Sequence, residues 1–239
     1  MDVGNKVLVM ILTYNEEENI SRVIGGVKKH VPLADIVVID GESRDSTVEQ
    51  ARQCGVFVLE VPHRLGIGGG VETGYKFAEE MGYDILARVD GDGQHNPEAL
   101  PKLIKSVIDG RADVVIGSRY AQATGYRASL SRAVGIKLFS LLLSALSHQK
   151  ITDPTSGFQA VNRDVIRFFA VDCHCNWSEV EAIVLLHQAG FSIHELPVIM
   201  NERLRGESSF KLGRAFFYMF KGLLSLFVGC LRESPRRRC

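Results

Sequence analysis

Two aspartates one residue apart, Asp90 and Asp92 in "ARVDGDGQHNPEAL" (residues 87–100), are the first place where the sequence offers chemistry. They close an apolar run and are flanked by Gly91 and Gly93, which permit tight backbone approach. Uncompensated carboxylates at the end of a buried strand are costly. A divalent cation removes that cost, and hard oxygen ligands suit Mg²⁺ or Mn²⁺, which bridge a carboxylate to substrate phosphates. The competing account is an ordinary acidic turn. His95 stands either against the metal or diphosphate, or exposed on its loop.

Other segments could hold a nucleotide. In "TYNEEENI", Tyr14 could lie against a base or ribose and Glu16 bond ribose hydroxyls, unless Asn15 merely caps a helix whose dipole favours the acids. Asp40 ends "DIVVID", where a carboxylate can accept from a base N–H. The glycine loop "HRLGIGGG", with His63, Arg64 and Gly68, could lie along a nucleotide. It is not a dinucleotide fingerprint, because Val71 takes the third glycine position and the loop follows the third strand, not the first.

These residues need elements to position them. Strand-length apolar runs are predicted at 6–14, 35–40, 56–62, 83–90 and 112–118, alternating with amphipathic segments. The first segment carries Ile20, Val23, Ile24 and Val27 at helical spacing. Ser46 and Glu49 form a predicted capping box for the second, which stops at Gly55. A helix to about Met81 follows the glycine loop, and Asn96-Pro97-Glu98 opens another to Ile108. Such alternation implies an α/β fold with a mostly parallel sheet covered on both faces. Ligands bind at the carboxyl ends of such strands. There the polar clusters fall: "TYNE", "DGES", "DGDGQH" and "GSRY". Beyond 120 the chain changes character, with an apolar helix at 129–149, a loop, short strand and helix start in "DPTSGFQAVNRDVI", a helix ending at Gly190 and a strand in "FSIHELPVIM".

The 239 residues, 46% of them hydrophobic, suffice for one large domain. The 28 basic and 28 acidic residues balance, so no global field points to nucleic acid. Five cysteines at scattered positions argue against a disulfide framework and for a reducing compartment, and "CHC" at 173–175 lacks a second ligand pair. The N-terminal apolar run is short and lacks a basic n-region, so no signal peptide is expected. Residues 215–231 are apolar apart from Lys221 and precede the basic "RESPRRRC". As a helix this run measures about 26 Å, short of a hydrocarbon core of about 30 Å. An interfacial helix fits better, with Lys221 snorkelling and the arginines at anionic headgroups. Otherwise this helix and the one at 133–147 pack on the domain, on each other or in a homo-oligomer.

Taken in order, "TYNEEENI", "IDGESRDST", "RVDGDGQHNPE", "VIGSRY", "DPTSGFQAVNRDVI" and "RGESSFKLG" resemble family 2 glycosyltransferases, in the dolichol-phosphate-mannose synthase-like, polyprenyl-phosphate branch. The resemblance covers roughly residues 6–213. It implies a glycosyltransferase A fold, a nucleotide-sugar donor, Mg²⁺ or Mn²⁺, and inversion at the anomeric carbon. It implies a catalytic domain at 1–213, with a donor half (1–120) and an acceptor half (121–213), followed by a membrane-interface helix and basic tail at 214–239. By position, Thr13, Tyr14 and Glu16 would hold the nucleoside, Asp40 its base, and Asp90 and Gly91 the nucleotide. Asp92, with Asp90 beside it, would take the metal, and Arg119, Arg132, Arg203, Ser208 and Lys211 would bind phosphates. Two departures stand out: the family often reads Asp-Asp-Gly-Ser after strand two, here Asp40-Gly41-Glu42-Ser43, and the basic loop carries an extra Ser-Phe before Lys211.

The expected acceptor is a polyprenyl phosphate on the cytoplasmic face of a membrane. A phosphate monoester, with a second pKa of about 6, is already an anionic nucleophile and needs no strong base. Asp153 in "DPTSGF" would orient the acceptor, act as a base, or simply cap its loop. A sugar-hydroxyl acceptor would need a base, and Glu179 or Glu181 would be the candidate. Outside the glycosyltransferases, a doubly wound sheet of this kind would suit a nicotinamide-dependent oxidoreductase, and the apolar helices a non-catalytic membrane module.

Overall fold

The structure is a computed structural model that describes residues 4–62, 66–122, 130–147, 149–172 and 179–201, with side chains of helix 130–147 described for 135–145. His63, Arg64, Cys173, Cys175, Arg203, Ser208, Lys211, the Arg132 side chain, the boundary at 213 and the apolar run 215–231 lie outside the described residues.

Seven strands form one sheet: β1 (Val7–Thr13), β2 (Asp35–Asp40), β3 (Phe57–Glu60), β4 (Ile85–Asp90), β5 (Val114–Ser118), β6 (Gln159–Asn162) and β7 (Ile193–Pro197), in the order β3-β2-β1-β4-β6-β5-β7. Six run parallel, and β6 is antiparallel to both β4 and β5. The expected donor and acceptor halves therefore share one sheet, because β6, from the second half of the chain, is inserted between two strands of the first.

Alternate strand residues point to opposite faces, and each face has its own core. Val7, Val9 and Ile11 meet α1 (Ile20–His30), which buries the expected Ile20, Val23, Ile24 and Val27, and α4 (Leu100–Ile108) packs on the same side. Leu8 and Met10 face the side covered by α3 (Gly66–Glu80), α5 (Leu130–Ser147), α6 (Arg163–Arg167) and α7 (Glu179–Gln188). α5 buries Ile136, Phe139 and Leu143 and leaves Leu138, Leu141 and Leu142 exposed. Among the described residues no helix is long and apolar enough to cross a membrane. Cys54, the one cysteine among them, is free.

Local signals held unevenly. Asn96 caps as expected, its Oδ1 accepting from the Glu98 amide at 3.1 Å, but the helix opens with a 3₁₀ turn (Pro97–Ala99) before α4. The Ser46 capping box does not form at α2 (Thr47–Gln53). Asp45 Oδ1 instead accepts from the Thr47 amide at 3.0 Å and from its hydroxyl at 2.5 Å, so the start of the helix is tied one residue before Ser46. Residues 66–70 of the expected glycine loop, Gly68 among them, belong to the start of α3, where a β-carbon on Gly70 would touch Leu12 and Ile39.

Gly117 in β5 is a packing requirement: a β-carbon there would sit 2.9 Å from the Phe158 ring and 3.1 Å from both Val198 methyls. Both neighbours are fixed in the core. Gly117→Ala should destabilise the fold by about 1–3 kcal/mol through overpacking, read from the midpoint of urea unfolding at unchanged m.

Candidate active site

β2 and β3 lie on one side of β1 and β4 on the other, so the strand order reverses at the β1/β4 pair, the place where open α/β sheets form their ligand crevice. The register puts Thr13 beside Asp40 and Leu12 beside Asp90, so three of the expected site residues end adjacent strands. Gly91 then turns in tightly: its amide donates to the Leu12 carbonyl at 2.7 Å, and a β-carbon there would lie 3.0 Å from that oxygen and from Thr13 Oγ1. Gly93 is left-handed (φ 74°), and Asp92 Oδ1 accepts from the Gln94 amide at 3.0 Å, closing the turn. The Thr13 hydroxyl is buried at this junction with no hydrogen-bond partner among the described residues.

Asp90 is held by two buried basic side chains. His95 is not exposed on its loop, as one of the two expectations had it: it is 7% exposed and stacks on Phe158 with ring centroids 4.8 Å apart. Its Nδ1 accepts from the Asp90 amide at 3.0 Å, so the neutral ring carries its proton on Nε2, which faces Asp90 Oδ2 at 3.6 Å. Burial pushes the imidazole pKa below its ordinary value, against the opposing pull of Asp90 and Asp92. Arg88 is 5% exposed and lies over Gly157, where a β-carbon would come within 2.8 Å of Nη2. Its Nη2 donates to Glu179 Oε1 at 3.1 Å, while Nε stands 3.8 Å from Asp90 Oδ1. Despite the opposing effect of burial, the two carboxylates hold the guanidinium pKa above its ordinary value. A small cavity lined by Arg88, Ser156, Gln159 and Glu179 opens beside this pair.

The β1 and β2 loops interlock. Asp40, expected to face a base, is 1% exposed, and its oxygens accept from the Ser43 amide at 2.8 Å and hydroxyl at 2.5 Å. A buried carboxylate requires donors, and its own loop supplies them. Asn15 does not cap α1; it adopts φ 54°, its amide donates to Ser43 Oγ, and its side chain accepts from the Arg44 amide. Glu16 is tied by its amide to Thr47 Oγ1 at 2.8 Å and accepts from the Asn19 side chain at 2.7 Å. Tyr14, 36% exposed, packs over Gly41 at the rim.

At the end of β5, Arg119 and Asp153 form a buried fork: Nε to Oδ2 at 2.6 Å and Nη2 to Oδ1 at 2.7 Å, with the Arg119 amide also on Oδ2 at 3.0 Å. Asp153 is fully buried, and both of its carboxylate oxygens are engaged by Arg119. Thr155 accepts from Nη2 at 2.8 Å, and Ser156 Oγ donates to the Gly117 carbonyl at 2.7 Å. "GSRY" and "DPTSGF" are thus two sides of one joint, locked from β7 by Glu195, which accepts from the amides of Thr152 and Asp153.

Sequence reasoning missed Arg88, Glu195 and Asn201. A charged residue inside an apolar strand flags Arg88, and the Glu of "IHELP" was concealed as one polar position of an edge strand. Asn201 had no signal: its amide donates to the Gln94 carbonyl at 2.8 Å and its side chain to the Gly93 carbonyl at 3.2 Å. The chain therefore passes residue 201 anchored on the Asp92 turn. Among the described residues no three His, Cys, Asp or Glu side chains gather into a preformed metal cage. Two carboxylates at a strand end match a cation completed by substrate phosphates.

The comparisons with known proteins agree with this geometry. The model of glycosyl transferase family 2 matches residues 8–170, and the chain belongs to that family. It is 33% identical over 218 residues to the undecaprenyl-phosphate mannosyltransferase of Micrococcus luteus, covering 87% of this chain and 88% of that one. It is 31% identical to the polyprenol monophosphomannose synthase of Mycolicibacterium smegmatis, covering 90% of this chain and 85% of that one. These relatives bear out the polyprenyl-phosphate branch. Glucosyl-3-phosphoglycerate synthase of Mycobacterium tuberculosis, solved with Mn²⁺, UDP and glucosyl-3-phosphoglycerate, superposes with a TM-score of 0.73 over 97% of this chain and 81% of that one, at 21% identity, which establishes the glycosyltransferase A fold. The chain is a glycosyltransferase, neither an oxidoreductase nor a non-catalytic module.

Removing one partner of the Arg119–Asp153 fork strands a buried charge. Asp153→Ala should cost about 3–5 kcal/mol, measured by urea unfolding; a loss within the ±0.5 kcal/mol typical of a surface change would refute the structural role.

Proposed function

We propose that this chain transfers a sugar, with inversion, from a nucleotide-sugar to the phosphate of a polyprenyl lipid at a membrane surface, using Mg²⁺ or Mn²⁺. The observation that carries it is the Asp90–Gly91–Asp92 turn at the β1/β4 crevice, with the Thr13 hydroxyl, unpaired among the described residues, against it. The names of the Micrococcus luteus and Mycolicibacterium smegmatis relatives support the lipid-phosphate acceptor. The exposed leucines of α5 support a membrane surface.

Asp92 and Asp90 would hold the cation, and the residues present fit it: hard oxygens, partly exposed, on a turn fixed by backbone bonds. When bound, the ion supplies Lewis-acid stabilisation of the departing diphosphate. Thr13, Tyr14 and Glu16 form the nucleoside side of the crevice, Asp40 sets the loop that borders it, and Gly68 lies in the helix turn beside it. Arg119, oriented by Asp153 at the carboxyl end of β5, with β6 between it and β4, would contribute a phosphate contact. Arg132, Arg203, Ser208 and Lys211 supply further phosphate contacts, the last three from the segment that follows Asn201. An acceptor phosphate arrives as an anion, so the protein's task is positioning and charge. A hydroxyl acceptor is the weaker reading, because of its two candidate bases Glu179 is engaged by Arg88 and Glu181 is buried.

UDP- and GDP-sugars should be screened against a short polyprenyl phosphate with and without EDTA. The expected product is an organic-extractable glycolipid whose formation EDTA abolishes; transfer only to water-soluble glycans, or undiminished by EDTA, would contradict the proposal. Asp92→Asn should lower turnover at least about 100-fold, the scale of a lost electrostatic contact to the developing charge, with an unchanged thermal midpoint. Wild-type-like turnover with metal present would remove Asp92 from the site.

A further inference from the structure

Arg88 lies between two carboxylates but is bonded to only one. Its Nη2 donates to Glu179 at 3.1 Å, whereas Nε, buried and without a hydrogen-bond partner among the described residues, stops 3.8 Å from Asp90 Oδ1. A buried donor left unmade is costly, and a short movement towards Asp90 would satisfy it with a charge-assisted bond. Two features oppose that movement. Glu179, at the start of α7, holds the far end of the guanidinium, and Gly157 provides the flat bed on which it lies. The Asp90 carboxylate, 38% exposed, is thereby left facing the crevice.

We infer that Glu179 is a positioning residue that restrains Arg88 and so keeps the Asp90 carboxylate available to a divalent cation. The inference rests on the proposed cation site at Asp90 and Asp92. Two consequences follow from charge alone. Without Glu179, Arg88 closes on Asp90 and competes with the cation. Without Arg88, there is nothing to restrain, and Glu179 becomes dispensable for cation binding. Glu179 is partly exposed, with 31% of its side chain accessible, so it tolerates loss of its partner in water.

The test uses the full chain and Mn²⁺, with affinity read by the EPR signal of free Mn²⁺ in the presence of UDP or GDP. Glu179→Gln should weaken Mn²⁺ binding about tenfold, the scale of one charge-assisted hydrogen bond turned against the site. The double variant Arg88→Met with Glu179→Gln should recover to within about threefold of wild type, a rescue that two structural lesions, which add, do not give. A crystal structure of Glu179→Gln without metal is the second, metal-independent arm: Arg88 Nε should reach Asp90 at about 3 Å. Unchanged Mn²⁺ affinity in Glu179→Gln, failure of the double variant to recover, or a guanidinium that stays in place would overturn the inference. Loss of transfer in Glu179→Gln at unaltered Mn²⁺ affinity would assign Glu179 to the acceptor instead. Wild-type protein that binds no Mn²⁺ would remove the cation site itself, and the metal-free structure would still decide whether Glu179 restrains Arg88.

Discussion

The site depends on how one carboxylate, Asp90, is held and directed at the end of a buried strand. Water cannot solvate it fully there, so the protein supplies the charge environment: a neutral His95 that accepts the Asp90 amide and turns its own N–H to the carboxylate, and a buried Arg88 drawn partly away by Glu179. The rest is arranged around this frame. His95 can be neutral and fixed because Phe158 stacks on it, and Phe158 can reach it because Gly117 leaves room. The same "SGF" segment supplies Gly157 beneath Arg88 and Ser156 on β5.

This frame joins the two parts of the chain. β6 is threaded between β4 and β5, so residues 153–159 reach the carboxylate turn from the interior of the sheet. Both His95 and Arg88 come from the β4 segment, yet both are completed by residues from beyond 150. The two parts of the chain thus share one sheet. His95 lies within electrostatic reach of Asp90, Asp92, Arg88 and Arg119 together, which brings charges from the β4 turn and from the end of β5 around one ring.

Much of the parallel framework was legible because period and polarity are local signals. Continuous apolar runs marked five strands, and polar residues at their carboxyl ends marked the crevice before any contact was known. What could not be read was pairing. "QAVN" carries no sign of running antiparallel between two distant strands, and Asp153 in "DPTSGF" gives no hint that Arg119 is its partner. From sequence Asp40 looks like a ligand-facing group and Asn15 like a helix cap, because only three-dimensional closeness reveals the Ser43 and Arg44 amides as the donors they accept from. Ser46 misled in the opposite way: it matches the capping-box pattern, yet the side chain that bonds at the start of α2 is that of Asp45.

That the turn at the β1/β4 crevice is a cation site shared with a nucleotide diphosphate is tested most directly by anomalous diffraction from a crystal soaked with Mn²⁺ and a nucleoside diphosphate. The expected result is one Mn²⁺ peak about 2.1 Å from an Asp92 carboxylate oxygen, bridged to diphosphate oxygens. A diphosphate bound in the crevice with no Mn²⁺ at Asp92, or Mn²⁺ bound elsewhere, would contradict it.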